Sequence, residues 1–193
     1  MTKPMMTTIA NAGAAEAVWQ YSRTARILHW TLASLIAATA ALGWYMMSVE
    51  HEPGGEWYFN LHKSIGLVIA ALVVGRIAWR LRNEPERLPA FVPLWQVRLS
   101  TATQMLLYAL MVLMPLTGYL GASYTKAGVQ LFGLATPHWA VPDHARAEQF
   151  FAVHSVLIWV LTALVALHVL GALKHLLLER NGVFQRMWFT FRP

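Results

Sequence analysis

The stretch QFFAVHSVLIWVLTALVALHVLGAL, residues 149–173, decides the fold because it contains no charged side chain. As an α-helix, it is long enough to cross the hydrocarbon core of a bilayer. Its two histidines, His154 and His168, are fourteen residues apart. On an α-helix, two side chains with this spacing point within about 40° of the same direction and are separated by about 21 Å along the axis. One helix therefore presents two imidazoles at different membrane depths, which would suit two haems stacked across the membrane.

The composition also indicates a membrane protein. The chain is 57% hydrophobic and 12% charged, about half the charged fraction of a soluble domain. The absence of cysteine excludes covalently attached c-type haem, thiolate-bound iron–sulfur clusters and disulfides. The net charge of +6 comes from basic residues that are separated by apolar runs. This pattern indicates membrane topology and not nucleic-acid binding.

Four apolar stretches predict an all-α membrane protein, a bundle of four transmembrane helices. The predicted spans are residues 27–49, 58–81, 99–124 and 150–178, each long enough to cross the bilayer. The second contains Lys63 and Arg76 near its ends, where long basic side chains can reach the interface. Residues 1–20 are expected to form a flexible tail, and residues 21–193 one four-helix domain. The segment 126–147 is expected to hold a short surface helix.

The distribution of Lys and Arg predicts the orientation. Twelve of the fifteen lie on the side of the termini, so both termini, including the tail, are expected in the cytoplasm of a bacterium, with the bundle in the inner membrane. The twelve are Lys3, Arg23, Arg26, Arg76, Arg80, Arg82, Arg87, Arg98, Lys174, Arg180, Arg186 and Arg192. The outer side has Lys63, Lys126 and Arg146 against the acidic residues Glu50, Glu52, Glu56, Asp143 and Glu148.

With this topology, the histidines of the spans sort by depth. His29 lies near the inner start of the first span, and His62 near the outer start of the second. Two imidazoles on one haem iron need ring nitrogens about 4 Å apart, from metal–nitrogen bonds near 2 Å. His62 can therefore pair only with His154, and His29 only with His168. The expected cofactors are two haems b, with these four histidines as axial ligands.

Other interpretations of these histidines remain open. A histidine within a span can be a packed polar side chain or part of a proton relay. Zinc is disfavoured because neither pair has a nearby Cys, Asp or Glu to complete a tetrahedral site. Gly66 and Gly171, which lie close to His62 and His168 along the chain, would leave room for a flat macrocycle. Small residues also serve ordinary helix packing.

Four segments resemble the prokaryotic cytochrome b561 family. They are YSRTARILHWTLA (21–33), LHKSIGLVIAALVVGRIAWRL (61–81), LYALMVLMPLTG (107–118) and HVLGALKHLLLERNGVFQRMW (168–188). The resemblance implies a four-helix membrane bundle that binds two b-type haems through His29, His62, His154 and His168. It also implies electron transfer between a donor and membrane quinone, with ubiquinone as the expected acceptor. One branch of the family oxidises superoxide, but the acidic outer loops and Gln104, where several relatives have histidine, depart from that pattern.

Further residues are candidates for supporting roles. Arg76 lies fourteen residues after His62, on the same face but at the inner level, and could pair with a haem propionate. Arg26, Arg80 and Lys174 are candidates for the same contact. The alternative for Arg76 is a charge that sets topology.

His175 is the candidate quinone-site residue. It follows His168 by two helical turns and could donate a hydrogen bond and a proton to a quinone carbonyl. By resemblance, it matches a histidine that recurs in the family; an ordinary interfacial histidine is the alternative. The other histidines, His51, His138 and His144, are expected to be solvated in loops.

Three functions are consistent with this sequence. The first is an oxidoreductase that passes electrons from a small reductant, superoxide being one candidate, to quinone. The second is the cytochrome b anchor subunit of a dehydrogenase, of the hydrogenase or formate dehydrogenase type. The third is a haem-free transporter or sensor that uses its histidines as proton relays. The expected partners are lipid, quinone and a donor protein or small reductant on the periplasmic side.

Overall fold

The computed structural model describes residues 19–189. Four long helices make up most of this part of the chain. They are α1 (Arg23–Ser48), α2 (Gly55–Arg82), α3 (Leu94–Ser123) and α4 (His144–Leu173). Residues 1–18 of the predicted tail, together with Arg192 from the charge count, lie outside the described residues.

Two of these helices start at a polar capping residue that precedes the apolar run in the sequence. The Ser22 hydroxyl accepts a hydrogen bond from the Ala25 amide at the start of α1, and the Asp143 carboxylate accepts one from the Arg146 amide at the start of α4. Such side chains satisfy amides that have no partner within the helix. The helices therefore extend beyond the predicted spans at these ends, because hydropathy marks only the apolar part of a helix.

Consecutive helices pack side by side, and their outer surfaces are apolar. Leu32 of α1 and Ile69 and Val73 of α2 form a buried contact. Large apolar side chains elsewhere point outward, with Leu81 76% and Val74 67% exposed. All four helices are long and apolar enough to cross a membrane, with mean hydropathy from 1.4 to 2.5 over their most apolar windows. The protein is accordingly a four-helix, multi-pass membrane protein whose exposed apolar surface faces lipid.

The two ends of the described chain meet at one end of the bundle, which we call the terminal end. There α4 continues into a π-helix (Lys174–Glu179), followed by a 3-10 helix (Phe184–Arg186). The chain then folds back onto α1, where Trp30 donates a hydrogen bond to the main-chain oxygen of Met187 (3.0 Å). The Tyr21 amide donates to the oxygen of Arg186 (3.0 Å). The segment after α4 therefore covers the terminal end.

At the opposite end, which we call the loop end, a small hairpin covers α2. Strands β1 (Gln130–Leu131) and β2 (Leu134–Ala135) pair in antiparallel register. The Ser64 hydroxyl of α2 accepts a hydrogen bond from the Phe132 amide (2.9 Å), and Lys63 donates to the oxygen of Gly128 (3.1 Å). The surface helix expected in residues 126–147 is thus wrong for most of that segment, because Gly128 and Gly133 adopt positive φ angles that favour a turn. Only its last residues are helical, as the start of α4.

Candidate functional site

The structure brings together the two histidine pairs that share a depth. The ring centroids of His62 and His154 are 6.3 Å apart, with the planes at 78°. Those of His29 and His168 are 6.1 Å apart, with the planes at 72°. The first pair lies toward the loop end and the second toward the terminal end, so α4 contributes one ring to each.

These separations fit a bis-imidazole haem. Two metal–nitrogen bonds of about 2 Å, each extended by about 1 Å to the ring centre, place the centroids about 6 Å apart. Within residues 19–189, no group of three or more His, Cys, Asp or Glu side chains could hold a metal ion. Each pair would therefore hold a metal only as part of a group that brings further ligands of its own, as a porphyrin does.

A cavity of about 290 Å³ adjoins the pair at the loop end. Its lining is predominantly apolar and comes from all four helices, including Trp44, Gly66, Met111 and Trp159 beside the two histidines. A Cβ atom on Gly66 would have no neighbour within 4 Å, and the same holds for Gly171. The space beside Gly66 belongs to this cavity, whose lining fits a flat apolar group, whereas Gly171 does not line it.

Hydrogen bonds fix the orientation of the His154 ring. Its Nδ1 lies 3.0 Å from the main-chain oxygen of Met114 and 3.2 Å from the Thr117 hydroxyl. The hydroxyl also lies 2.8 Å from the oxygen of Leu113, to which it can donate. Since a carbonyl only accepts, Nδ1 carries the proton and donates it to Met114, leaving the Nε2 lone pair available to a metal. An outer hydrogen bond of this kind sets the tautomer of a metal-binding histidine.

Two glycines that the sequence did not single out hold the same pair. A Cβ atom on Gly43 of α1 would lie 3.1 Å from Cε1 of His62, and one on Gly118 of α3 would lie 3.2 Å from Cε1 of His154. Both distances are shorter than ordinary van der Waals contact, so the rings pack directly on helix backbone. The position of both glycines within apolar spans indicated close helix packing but did not predict contact with a histidine.

At the terminal end, Arg76 contacts one of the paired histidines. A guanidinium nitrogen lies 3.2 Å from Nδ1 of His29, and another donates to the main-chain oxygen of Ala25 (3.2 Å). The guanidinium also lies over the ring of Tyr108, 5.9 Å from its centroid. A guanidinium only donates, so in this arrangement Nδ1 of His29 accepts and Nε2 carries the proton.

The other predicted propionate contacts have different partners. Arg26 donates to the main-chain oxygen of Trp188 (2.9 Å) and to Gln20 (3.3 Å). Lys174 forms an ion pair with Glu179 and lies over the ring of Trp95, 5.8 Å from its centroid. One guanidinium nitrogen of Arg80 is buried and has no hydrogen-bond partner within the described chain. Of the four candidates, Arg76 is the one that touches a paired histidine.

His175 lies in a polar cluster on the π-helix. Its Nδ1 is 2.7 Å from Oε2 of Glu179 and 2.9 Å from the Asn181 amide nitrogen. Its side chain is 14% exposed, at the terminal end of the bundle. Sequence reasoning missed Glu179, although its four-residue spacing from His175 places the two side chains next to each other on a helix and was the signal that could have found this contact.

The three remaining histidines lie apart from these sites. His51, His138 and His144 are exposed near the loop end. His138 contacts the main-chain oxygen of Thr125 (3.2 Å). His144 is the first residue of α4 and not part of a loop, because Asp143 caps the helix immediately before it.

Comparisons with known proteins agree with this geometry. A family model described as prokaryotic cytochrome b561 matches residues 20–190. Cytochrome b561 homolog 2 of Escherichia coli (strain K12) is 28% identical over 173 residues, covering 87% of this chain and 90% of the relative. Cytochrome b561 homolog 1 of the same organism is 22% identical over 176 residues, covering 87% of this chain and 96% of the relative.

Proposed function

Because the chain belongs to the prokaryotic cytochrome b561 family, we propose that it is a dihaem cytochrome transferring electrons between a donor and the quinone pool. Family membership makes it a haem-containing membrane cytochrome, which removes the haem-free transporter or sensor from consideration. The observation that carries the dihaem proposal is the presence of two separate histidine pairs, with ring centroids 6.3 Å and 6.1 Å apart.

Each pair would hold one b-type haem, with His62 and His154 at the loop end and His29 and His168 at the terminal end. When bound, the haem supplies reversible one-electron transfer at its iron. The protein contributes ring orientation, through the Met114 oxygen at His154, and a predominantly apolar cavity. An apolar surrounding excludes water and disfavours additional charge on the iron, which helps to set the redox potential.

Arg76 would exchange partners when a haem occupies the terminal-end site. Ligation through Nε2 requires a lone pair on that nitrogen, whereas the Arg76 contact makes Nδ1 of His29 the acceptor. We therefore propose that the guanidinium leaves His29 and pairs with a carboxylate of the haem. Arg26 and Lys174 are secondary candidates, since each would have to give up the Trp188 oxygen or Glu179.

We propose that the terminal end faces the cytoplasm of a bacterium and the loop end faces the periplasm. Of the basic residues within 19–189, ten belong to the terminal-end group and three to the loop-end group. Basic residues are retained on the cytoplasmic side of a membrane. This orientation places both chain termini inside and the His62–His154 pair near the outer surface.

Quinone, with ubiquinone as the expected molecule, would accept electrons near the terminal-end haem, at His175. The ring lies close to the end of the apolar part of α4, where a lipid-soluble substrate and the aqueous phase meet. Quinone reduction consumes protons as well as electrons, and an imidazole can supply them near neutral pH. The basic residues Lys174 and Arg76 are also at this end.

The loop end, where the electron donor would react, is acidic, and this charge limits which donors can approach it. Glu50, Glu52, Glu56 and Glu148 are exposed near the loop end. Such a surface repels superoxide, an anion, and attracts a cationic reductant or a basic protein. This observation favours a second candidate function, the membrane anchor of a dehydrogenase partner, over superoxide oxidation.

Stopped-flow reduction of the purified protein tests the proposal. The reduced-minus-oxidised spectrum should show b-type haem, and a ubiquinone analogue should reoxidise the reduced protein. Rapid reduction by superoxide or another small reductant would support the oxidoreductase. Reduction only in the presence of a co-purified dehydrogenase would support the anchor subunit. A protein that binds haem but exchanges no electrons with quinone would contradict the proposed acceptor.

A further inference from the structure

Glu179 lies at the centre of the polar cluster that contains His175. One carboxylate oxygen, Oε2, lies 2.7 Å from Nδ1 of His175 and accepts a hydrogen bond from the Asn181 amide (2.8 Å). The other, Oε1, accepts from the Gln96 amide of α3 (3.1 Å) and pairs with Lys174. Four groups from α3, the π-helix and the segment after it therefore converge on one carboxylate.

The carboxylate, His175 and Lys174 all lie on the π-helix that follows α4. A π-turn has i to i+5 hydrogen bonds and contains more residues than an α-turn, so it shifts the side chains that follow it around the axis. Single π-turns within α-helices occur frequently at functional sites. Here the π-helix spans Lys174–Glu179, so Lys174 and Glu179, five residues apart, meet across one π-turn. His175 and Glu179 keep the four-residue spacing at which helical side chains are neighbours.

The contact determines which nitrogen of His175 is available. An ionised carboxylate only accepts hydrogen bonds, so the Nδ1 proton is donated to Glu179. The Asn181 amide then donates to the same carboxylate oxygen and not to the ring. Nε2 is left as the nitrogen that can exchange a proton with another molecule.

We infer that Glu179 is a positioning residue for proton transfer by His175 to quinone. The inference rests on the proposed reduction of quinone at His175. Glu179 would hold the ring with Nε2 toward the quinone oxygen and would stabilise the positive charge on the doubly protonated ring. In hydrolases, a carboxylate hydrogen-bonded to the catalytic histidine likewise orients the ring and stabilises its positive charge.

The reaction balances with the groups already named. Reduction of one quinone to a quinol takes two electrons, which the haems supply, and two protons. His175 transfers a proton from Nε2 to a quinone oxygen and regains one from water at the terminal end. A second cycle of the same kind protonates the other oxygen. Glu179 stays ionised throughout and is not consumed.

The surrounding charges support an ionised Glu179. Lys174, on the same π-helix, is a cation in direct contact with it. Gln96, which approaches from α3, is neutral. Arg186 of the neighbouring 3-10 helix donates to the main-chain oxygens of Glu86 and Arg87 instead. The carboxylate therefore has one contacting cation and neutral donors around it.

The test compares Glu179→Gln with Glu179→Asp and Gln96→Ala in the haem-loaded protein. Reduced haem is mixed with a ubiquinone analogue, and the oxidation rate is measured in H₂O and D₂O and normalised to haem content. We expect Glu179→Gln to slow oxidation about tenfold and to increase the solvent isotope effect, because proton transfer becomes limiting. Glu179→Asp should recover much of the rate. Gln96→Ala removes a hydrogen bond from the other oxygen and should change the rate by less than about threefold.

His175→Ala distinguishes a failure of this inference from a failure of the proposed quinone site. If both His175→Ala and Glu179→Gln oxidise at the wild-type rate, the quinone site is elsewhere and both proposals fall. If only His175→Ala is slow, quinone reacts there but Glu179 has no positioning role. Equal slowing of all three variants at Glu179 and Gln96, without a change in isotope effect, would indicate a structural role and would also overturn the inference.

Discussion

Gly118 and His154 are in direct contact, since a Cβ atom on the glycine would lie 3.2 Å from Cε1 of the imidazole. The ring is therefore held between the backbone of α3 on one side and the partner His62 on the other. Its Nδ1 is bound at the same time to the Met114 oxygen, one helical turn before Gly118. The position of this ring depends on the absence of a single methyl group.

The first prediction follows from this contact. Gly118→Ala should displace the His154 ring by a few tenths of an ångström and weaken binding of the loop-end haem. Replacing glycine by alanine within a helix otherwise adds about 0.5–1 kcal/mol of stability, so helix propensity acts in the opposite direction. We expect lower occupancy or a shifted potential for one haem, measured by pyridine haemochrome assay and redox titration.

Gly75→Ala is the matched control for this variant. Gly75 also lies within a helix, but a Cβ atom there would meet nothing within 4 Å. The Gly75→Ala variant should leave the occupancy and potential of both haems unchanged. Equal haem loss in both variants would show that the contact between Gly118 and His154 is not the cause.

The second prediction concerns the number and pairing of the haems. Two histidine pairs at separate depths should give a haem-to-protein ratio close to two. His62→Ala and His154→Ala should each remove the loop-end haem and largely spare the terminal-end haem. His29→Ala and His168→Ala should each remove the terminal-end haem and largely spare the loop-end haem. A reproducible ratio of one, or the loss of one common haem in His62→Ala and His29→Ala, would contradict the pairing.

Much of this architecture was accessible from the sequence, for physical reasons. A helix in lipid must satisfy its own backbone and carry an apolar surface, so long uncharged runs marked the four helices. The histidine depths followed from the constant rise of a helix. The fourteen-residue spacing of His154 and His168 fixed the relation between the two sites before any helix was packed against another.

The details of the site depend on contacts that hydropathy does not encode. Arg76 meets His29 only because of the way α1 and α2 pack, and Gly43 and Gly118 gain their role from neighbouring helices. The contact of Glu179 with His175 follows from helical spacing, but its contact with Gln96 depends on how α3 lies beside the π-helix. The hairpin at the loop end was also missed, because its strands have only two residues each.

The third prediction concerns orientation. If both termini are cytoplasmic, a reporter that is active only in the periplasm should give no signal when fused to the carboxyl terminus. The same reporter inserted at Gly54, in the turn between α1 and α2 at the loop end, should give a strong one. The opposite result would invert the topology and place quinone reduction on the periplasmic side.

The last prediction concerns Arg186, a buried cation outside the haem sites. Its side chain is 5% exposed and joins three segments of the terminal end. The guanidinium donates to the main-chain oxygens of Glu86 (2.7 Å) and Arg87 (3.3 Å) and lies over the ring of Trp19, 4.5 Å from its centroid. These contacts fasten the segment after α4 to the linker between α2 and α3 and to the start of the described chain.

Arg186→Met should therefore loosen the terminal end. Each hydrogen bond from a charged donor contributes about 1.5–3 kcal/mol, and the methionine leaves two carbonyl groups without this partner. We expect a lower Tm and faster cleavage by chymotrypsin after Phe184 or Trp188, with the loop-end haem retained. Arg82→Met, at an exposed position, is the control and should change neither. An unchanged Tm and cleavage rate in Arg186→Met would mean that the segment after α4 is held by its aromatic contacts with α1, such as Trp30 with Trp188, and not by the buried guanidinium.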